Sequence, residues 1–253
     1  MKKIKLLLCL FMLTTLCGCS NSNKNESSKT LNAAMFWIST SLDPTNNYDG
    51  WVLSRIGVGE TLLKLNEKYE VEPYLAKSYE QIDDTTWKLT LKDSITFSNG
   101  KKVTGKNVKS CLERAFEKNT RAIDYFDLNH VEAKGQDIYL YLNKSSGAIL
   151  NNLCEPLFTI YDASQSEEDI ANHPLCTGPF VVDDFVSEKT IDTSKNKKYY
   201  DGKAKLDHVH FSQVADSDAR VLALQSGEVD LANTIDYSSL KLFRNNKDYQ
   251  VLE

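Results

Sequence analysis

The residue types that do chemistry are spread thinly along this chain, and few stand at spacings that commit them to it. His208 and His210 lie two apart on a segment that reads as a strand, which puts both rings on one face where they can share a metal. No third ligand stands near them, and exposed strand histidines are common. Arg121 carries a planar fork of donors suited to bidentate contact with a carboxylate. The ordinary alternative is a surface arginine that is solvated or paired with Asp124. Glu167, Glu168 and Asp169 read as a solvated first turn of a helix, where acids favour the dipole. His130 and His173 have no evident partner. The chain has no nucleophile elbow, metalloprotease helix, phosphate loop or paired-cysteine redox motif, so neither enzymatic activity nor a resident metal or cofactor is expected.

Three of the six cysteines fall within the first 19 residues, and the other three are Cys111, Cys154 and Cys176. Residues 1–18 have the three zones of an export signal: basic Met1-Lys2-Lys3-Ile4-Lys5, an apolar run from Leu6 to Leu16, and a small-residue exit. That run is too short for a permanent bilayer-spanning helix. Leu16-Cys17-Gly18-Cys19 resembles a lipobox, so Cys19 is the expected lipidation site, anchoring the mature chain to the extracytoplasmic face of the cell membrane. Residues 19–30 are polar and read as a flexible tether. Of the remaining cysteines, Cys111 falls on the apolar face of a predicted helix, while Cys154 and Cys176 can pair in an oxidising compartment. Loss of residues 1–18 removes three lysines and no acid, leaving the body more acidic than the −5 of the whole chain. An acidic body excludes nucleic acid as an expected partner.

The elements that must position these groups are mixed in order, which predicts an α+β class. Leu31–Ile38 reads as a strand, and Trp51–Leu63 as a helix with Val52, Ile56, Gly59 and Leu63 along one face. Asn66-Glu67-Lys68 turns a short hairpin that ends at Pro73. In Trp87–Lys92 apolar and polar residues alternate, the pattern of a sheet with one wet face. Ser98-Asn99-Gly100 supplies a tight turn. Thr104 begins a helix whose Val108, Cys111, Leu112, Ala115 and Phe116 form a core face. Ile138–Leu142 alternates again; Ser146–Leu153 looks helical; Phe158–Tyr161, Phe180–Val182 and Val209–Phe211 read as strands; Asp218–Ser226 is a helix stopped by Gly227.

Four stretches, in order, resemble the family-5 extracellular solute-binding proteins, the peptide, dipeptide and nickel class that serves ABC importers. They are Leu42-Asp43-Pro44 with Gly59–Leu63 and Glu72–Tyr79; Asp84–Val108; Thr177-Gly178-Pro179-Phe180; and Asn196 with Tyr199–Lys203 through Ala223–Asp230. The resemblance covers most of residues 42–232 and implies a mixed-sheet fold like a periplasmic binding protein of type II, cluster C. On that pattern, residues 31–48 and 175–253 form the core of a first lobe, residues 49–174 an inserted subdomain, and a second lobe is absent from this chain. The implied role is the substrate-binding component of an ABC importer for peptides or metal chelates. It would act as a monomer that closes over its ligand and docks on permease subunits. The alternative is an interaction module without transport activity.

The resemblance also orders the site candidates. Tyr48 and Trp51 stand where members often line the ligand cleft, although aromatics bury large area equally well in packing beneath a subdomain. In the metal-chelate branch an arginine at the Arg121 position can bind a ligand carboxylate. Some nickel binders have a basic residue just before the proline that matches Pro156, where this chain has Glu155.

Overall fold

Which residues the core claims decides the elements, and the computed structural model describes residues 28–252. The expected signal at 1–18, Cys19 and most of the tether lie outside the described residues. Strand β1 (Thr30–Met35) enters the core through Ala33, Ala34 and Met35. Helix α1 (Gly50–Arg55) follows, then the hairpin strands β2 (Leu63–Leu65) and β3 (Val71–Pro73). The expected helix over Trp51–Leu63 is therefore six residues long and stops at Arg55. Gly57 adopts φ +71°, and the N–H groups of Val58 and Gly59 both donate to Leu53 O at 3.0 Å, which closes the helix and turns the chain out of it.

A four-stranded antiparallel sheet comes next, in the order β4 (Ala76–Gln81), β5 (Thr86–Leu91), β7 (Asp137–Leu142) and β6 (Leu128–Lys134). Leu89 and Leu91 of β5 and Ile138, Leu140 and Leu142 of β7 supply its buried face, as the alternation predicts. Between β5 and β6 lie α2 (Gly105–Lys118) and the short α3 (Ala122–Tyr125). Helix α2 lays Val108, Cys111, Leu112 and Ala115 on the sheet. At its start the Asn107 carboxamide accepts from the Thr104 N–H at 3.0 Å and from its hydroxyl at 2.7 Å, satisfying a terminal donor.

Two further readings are corrected. Only α4 (Ile149–Asn152) of the expected 146–153 helix forms. Phe158–Tyr161 is not a strand: Pro156–Phe158 is a 3-10 turn, closed by Thr159 N–H to Pro156 O at 3.1 Å, and Tyr161 makes a single bridge to Cys176. Beyond α5 (Glu167–Asn172), strands β8 (Phe180–Val186), β9 (Thr190–Lys195) and β10 (His208–Gln213) run antiparallel. After α6 (Ser217–Ser226), ended by Gly227 at φ +74°, β11 (Leu231–Ala232) joins β1 in parallel, and α7 (Tyr237–Arg244) follows. This second sheet has the order β11-β1-β10-β9-β8, with β1 and β10 parallel. One apolar core, including Met35, Leu89, Ile138 and Val209, runs beneath both sheets.

Cys111, Cys154 and Cys176 are all free, so the disulfide considered between Cys154 and Cys176 does not form. Burial pushes the Cys111 thiol up to about 12 and the Cys154 thiol up to about 11, which keeps both protonated and unreactive at neutral pH.

Candidate functional site

The loop ahead of α1 is held from below by a buried arginine. Arg114 of α2 donates both arms to Asp43, at 2.8 and 2.7 Å, and also reaches Thr45 Oγ1 at 2.7 Å, Tyr161 Oη at 2.8 Å and Glu167 Oε2 at 2.6 Å. Burial alone raises the Asp43 carboxyl, but the hydrogen bonds from Arg114 and Thr45 more than offset it and hold the group below the usual carboxylate range. Glu167 is thus tied to Arg114 and Lys118 rather than simply solvated.

Asn119, at the end of α2, carries this order upward. Its carboxamide nitrogen donates to Thr45 O and Asn47 O, both at 3.1 Å, and its oxygen accepts from Arg121 N–H at 2.9 Å. Asn47, at φ +44°, then presents its carbonyl to Arg121 Nη1 at 3.0 Å. Arg121 Nη2 donates to Tyr125 Oη at 2.7 Å, and the guanidinium lies 3.7 Å from the centre of the Tyr48 ring. No ion pair to Asp124 or to any other carboxylate engages Arg121 among the described residues.

Trp51 completes the group. Its Nε1–H donates to Glu155 Oε1 at 2.9 Å, a contact between residues 104 positions apart. The Tyr125 hydroxyl is pushed up to about 12 by burial and by the Glu155 carboxylate beside it. Tyr48 is 53 % and Trp51 38 % exposed, so both side chains remain open to solvent. With Phe36, Trp37 and Arg55 they line an open cleft of about 250 Å³. The structure therefore brings Tyr48, Trp51 and Arg121 together, and adds Phe36, Trp37, Arg55, Asn119 and Glu155. An aromatic floor bearing guanidinium forks at its edge can hold a flat or chelated organic anion.

Asp49 sits just beneath this floor. Burial, with a smaller push from Asp43, raises its carboxyl from the ordinary 3.8 to about 6, against a hydrogen bond from Asn46 Nδ2 at 2.6 Å. Between about pH 4 and 6 the folded state keeps a proton that the unfolded chain has released, so this group's contribution to stability falls as pH rises. Asp49→Asn is expected to remove that slope. Denaturant unfolding at several pH values should show the variant gaining on the parent through this window and holding a constant lead above it; parallel curves would contradict the assignment.

His208 is exposed, and His210 Nδ1 lies 2.7 Å from Asp192 Oδ1 on the neighbouring strand. Among the described residues no group of three or more His, Cys, Asp or Glu is placed to hold a metal.

The family model for the bacterial extracellular solute-binding proteins, family 5 (middle region), matches residues 70–253. The chain belongs to this family. It is 33 % identical over 236 residues to the nickel-binding protein NikA of Staphylococcus aureus, covering 93 % of this chain and 47 % of that one. The crystal structure of the same Staphylococcus aureus protein in complex with Ni(L-His)2 superposes with a TM-score of 0.81 at 32 % identity, over 87 % of this chain and 46 % of that one. A glutathione-binding protein, GsiB of Escherichia coli, is 27 % identical over 201 residues, covering 76 % of this chain and 39 % of its own length. The chain thus spans less than half the length of these relatives. Its mixed sheets are those of the type II periplasmic binding proteins, and the family consists of solute-binding proteins rather than enzymes. Among the described residues no helix is long and apolar enough to cross a membrane.

Proposed function

We propose that this protein is the substrate-binding component of an ABC importer and that its cargo is a nickel chelate bearing carboxylates, held on the face formed by Tyr48, Trp51 and Arg121. The observation that carries this reading is the Arg121 guanidinium, stacked on an exposed tyrosine with no carboxylate partner among the described residues. A guanidinium so fixed has lost most of its rotamer freedom before the ligand arrives, so less entropy opposes a bidentate contact. The Staphylococcus aureus relative with its Ni(L-His)2 supports the chelate. A glutathione-binding relative supports a second reading, a small peptide, which would use the same carboxylate contact.

In this proposal residues 31–48 and 175–253 are the core of a lobe and 49–174 its inserted subdomain. Lipidated Cys19 tethers the monomer to the outer face of the cell membrane, where it delivers cargo to permease subunits. Titration followed by tryptophan fluorescence tests the cargo, because Trp51 lies in the cleft. Nickel with L-histidine is expected to give a saturable change that nickel alone does not. Arg121→Ala should weaken it about ten- to hundredfold, the scale of a charged hydrogen bond. Saturation by glutathione only would replace the chelate with the peptide, and an unaltered affinity in Arg121→Ala would move the site elsewhere.

A further inference from the structure

Arg55 is the second charged group of the cleft, and its surroundings differ from those of Arg114, Arg121 and Arg220. Arg114 is bound to two carboxylates, Arg220 to four backbone carbonyls, and Arg121 to a carbonyl and a hydroxyl. Arg55 has neither a hydrogen bond nor an ion pair among the described residues. Its guanidinium instead lies against two rings, 5.5 Å from the centre of Phe36 and 5.4 Å from that of Trp51. Arg55 lines the cleft, so its N–H groups can be offered to a ligand held there. Partial burial lowers the pKa of the group, the direction expected where water is being excluded from a charge.

The helix fixes where that fork stands. Trp51 and Arg55 are four residues apart on α1, one turn along the same face, and Tyr48 precedes Trp51 by three. Tyr48 carries Arg121 at one end of this row, and Arg55 stands at the other. At 1.5 Å per residue, Trp51 and Arg55 are roughly 6 Å apart along the axis of α1, and Tyr48 lies in the turn just before it. The partly exposed side chains of Tyr48 and Trp51 carry these two cations. Glu155, bound to Trp51 Nε1, is the one carboxylate held to this aromatic row by a hydrogen bond among the described residues.

We propose that Arg55 is a specificity-determining residue that binds a second carboxylate, so that the cleft selects chelates with two carboxylates at opposite ends of a compact, metal-centred body. This rests on the chelate reading above and narrows it. A ligand with one carboxylate would engage Arg121 and leave the Arg55 fork facing water. A ligand with two would desolvate both forks and gain a charge-assisted contact at each.

The test compares two probes on two proteins by calorimetry. The probes are nickel with L-histidine in twofold excess, which gives a chelate with two carboxylates, and nickel with histamine, its decarboxylated analogue. The proteins are the parent chain and Arg55→Gln, with thermal melting to confirm that the variant is folded; among the described residues Arg55 has no hydrogen bond or ion pair, so the variant's melting temperature should be close to the parent's. The parent is expected to bind the histidine chelate at least a hundredfold more tightly than the histamine one, from two charged contacts. Arg55→Gln should lose about ten- to hundredfold toward the histidine chelate and nothing toward the histamine one. Equal losses toward both probes, or no loss, would overturn the role of Arg55 while leaving the chelate reading intact. Failure of the parent to bind the histidine chelate at all would overturn the underlying reading instead.

Discussion

Arg114→Ala is expected to destabilise the protein by about 3–5 kcal/mol, enough to unfold a large share of molecules at physiological temperature. The residue looks unexceptional in sequence, a basic position on an amphipathic helix. In the fold it is buried and bound to Asp43 by both arms. Removing it strands the Asp43 carboxylate among Thr45, Tyr161 and the core with no countercharge. Only the Thr45 hydrogen bonds would then oppose burial, so the carboxyl pKa would rise from its lowered position. Urea unfolding measures the loss directly. Changing both partners, Asp43→Leu with Arg114→Met, should be less damaging than Arg114→Ala alone, because no buried charge is left without its partner. A loss below about 1 kcal/mol for Arg114→Ala would mean that the pair is as weak as a surface one.

Gly50→Ala is expected to cost about 3 kcal/mol and to weaken ligand binding as well. Gly50 opens α1 and packs against the 3-10 turn that begins at Pro156. A Cβ there would lie 2.7 Å from the Pro156 carbonyl carbon and closer still to its oxygen. Those are backbone atoms, so no rotamer change relieves the clash, and the helix and turn must separate. Trp51 and Glu155 are the next residues on the two sides of that contact, and their hydrogen bond spans it. The same displacement therefore shifts the aromatic floor away from its carboxylate. Thermal melting and ligand titration should both register the change; a variant stable but unable to bind, or binding normally but unstable, would separate two effects that this geometry couples.

How far the molecule is legible in its sequence depends on whether a residue's partner is near or far. The alternation in β5 and β7 and the three-and-four spacing of α2 reflect burial against a single surface, and the structure buries those positions, Trp87 and Phe116 only partly. The helix after Trp51 misled because Val52, Ile56, Gly59 and Leu63 keep helical spacing across a break. Thr61, Leu62 and Leu63 are all buried in succession, which no amphipathic helix allows; they belong to extended chain passing through the core. Phe158, Ile160 and Tyr161 are likewise buried apolar residues that read as a strand, but Pro156 starts a tight turn there.

At the site, residue type and family resemblance singled out Tyr48, Trp51 and Arg121, which the fold places in one group. The residues that hold them were not legible. Asn119 acts through carbonyls more than 70 positions away, Arg114 through a carboxylate 71 positions away, and Glu155 through an indole at a distance of 104. No local period carries such pairings. Glu155 stood out only as a departure from the basic residue of some nickel binders, with nothing to say that it receives the Trp51 N–H. Arg55 had one available signal, its position four residues after Trp51.

Native mass spectrometry of the protein purified from its own source, under conditions that retain bound ligand, tests the central claim most directly. A population heavier than the apo chain by one nickel ion plus small organic molecules that carry carboxylates is expected, and it should be missing from Arg121→Ala. An added mass made up of peptide alone, or a nickel adduct that survives unchanged in Arg121→Ala, would contradict that claim.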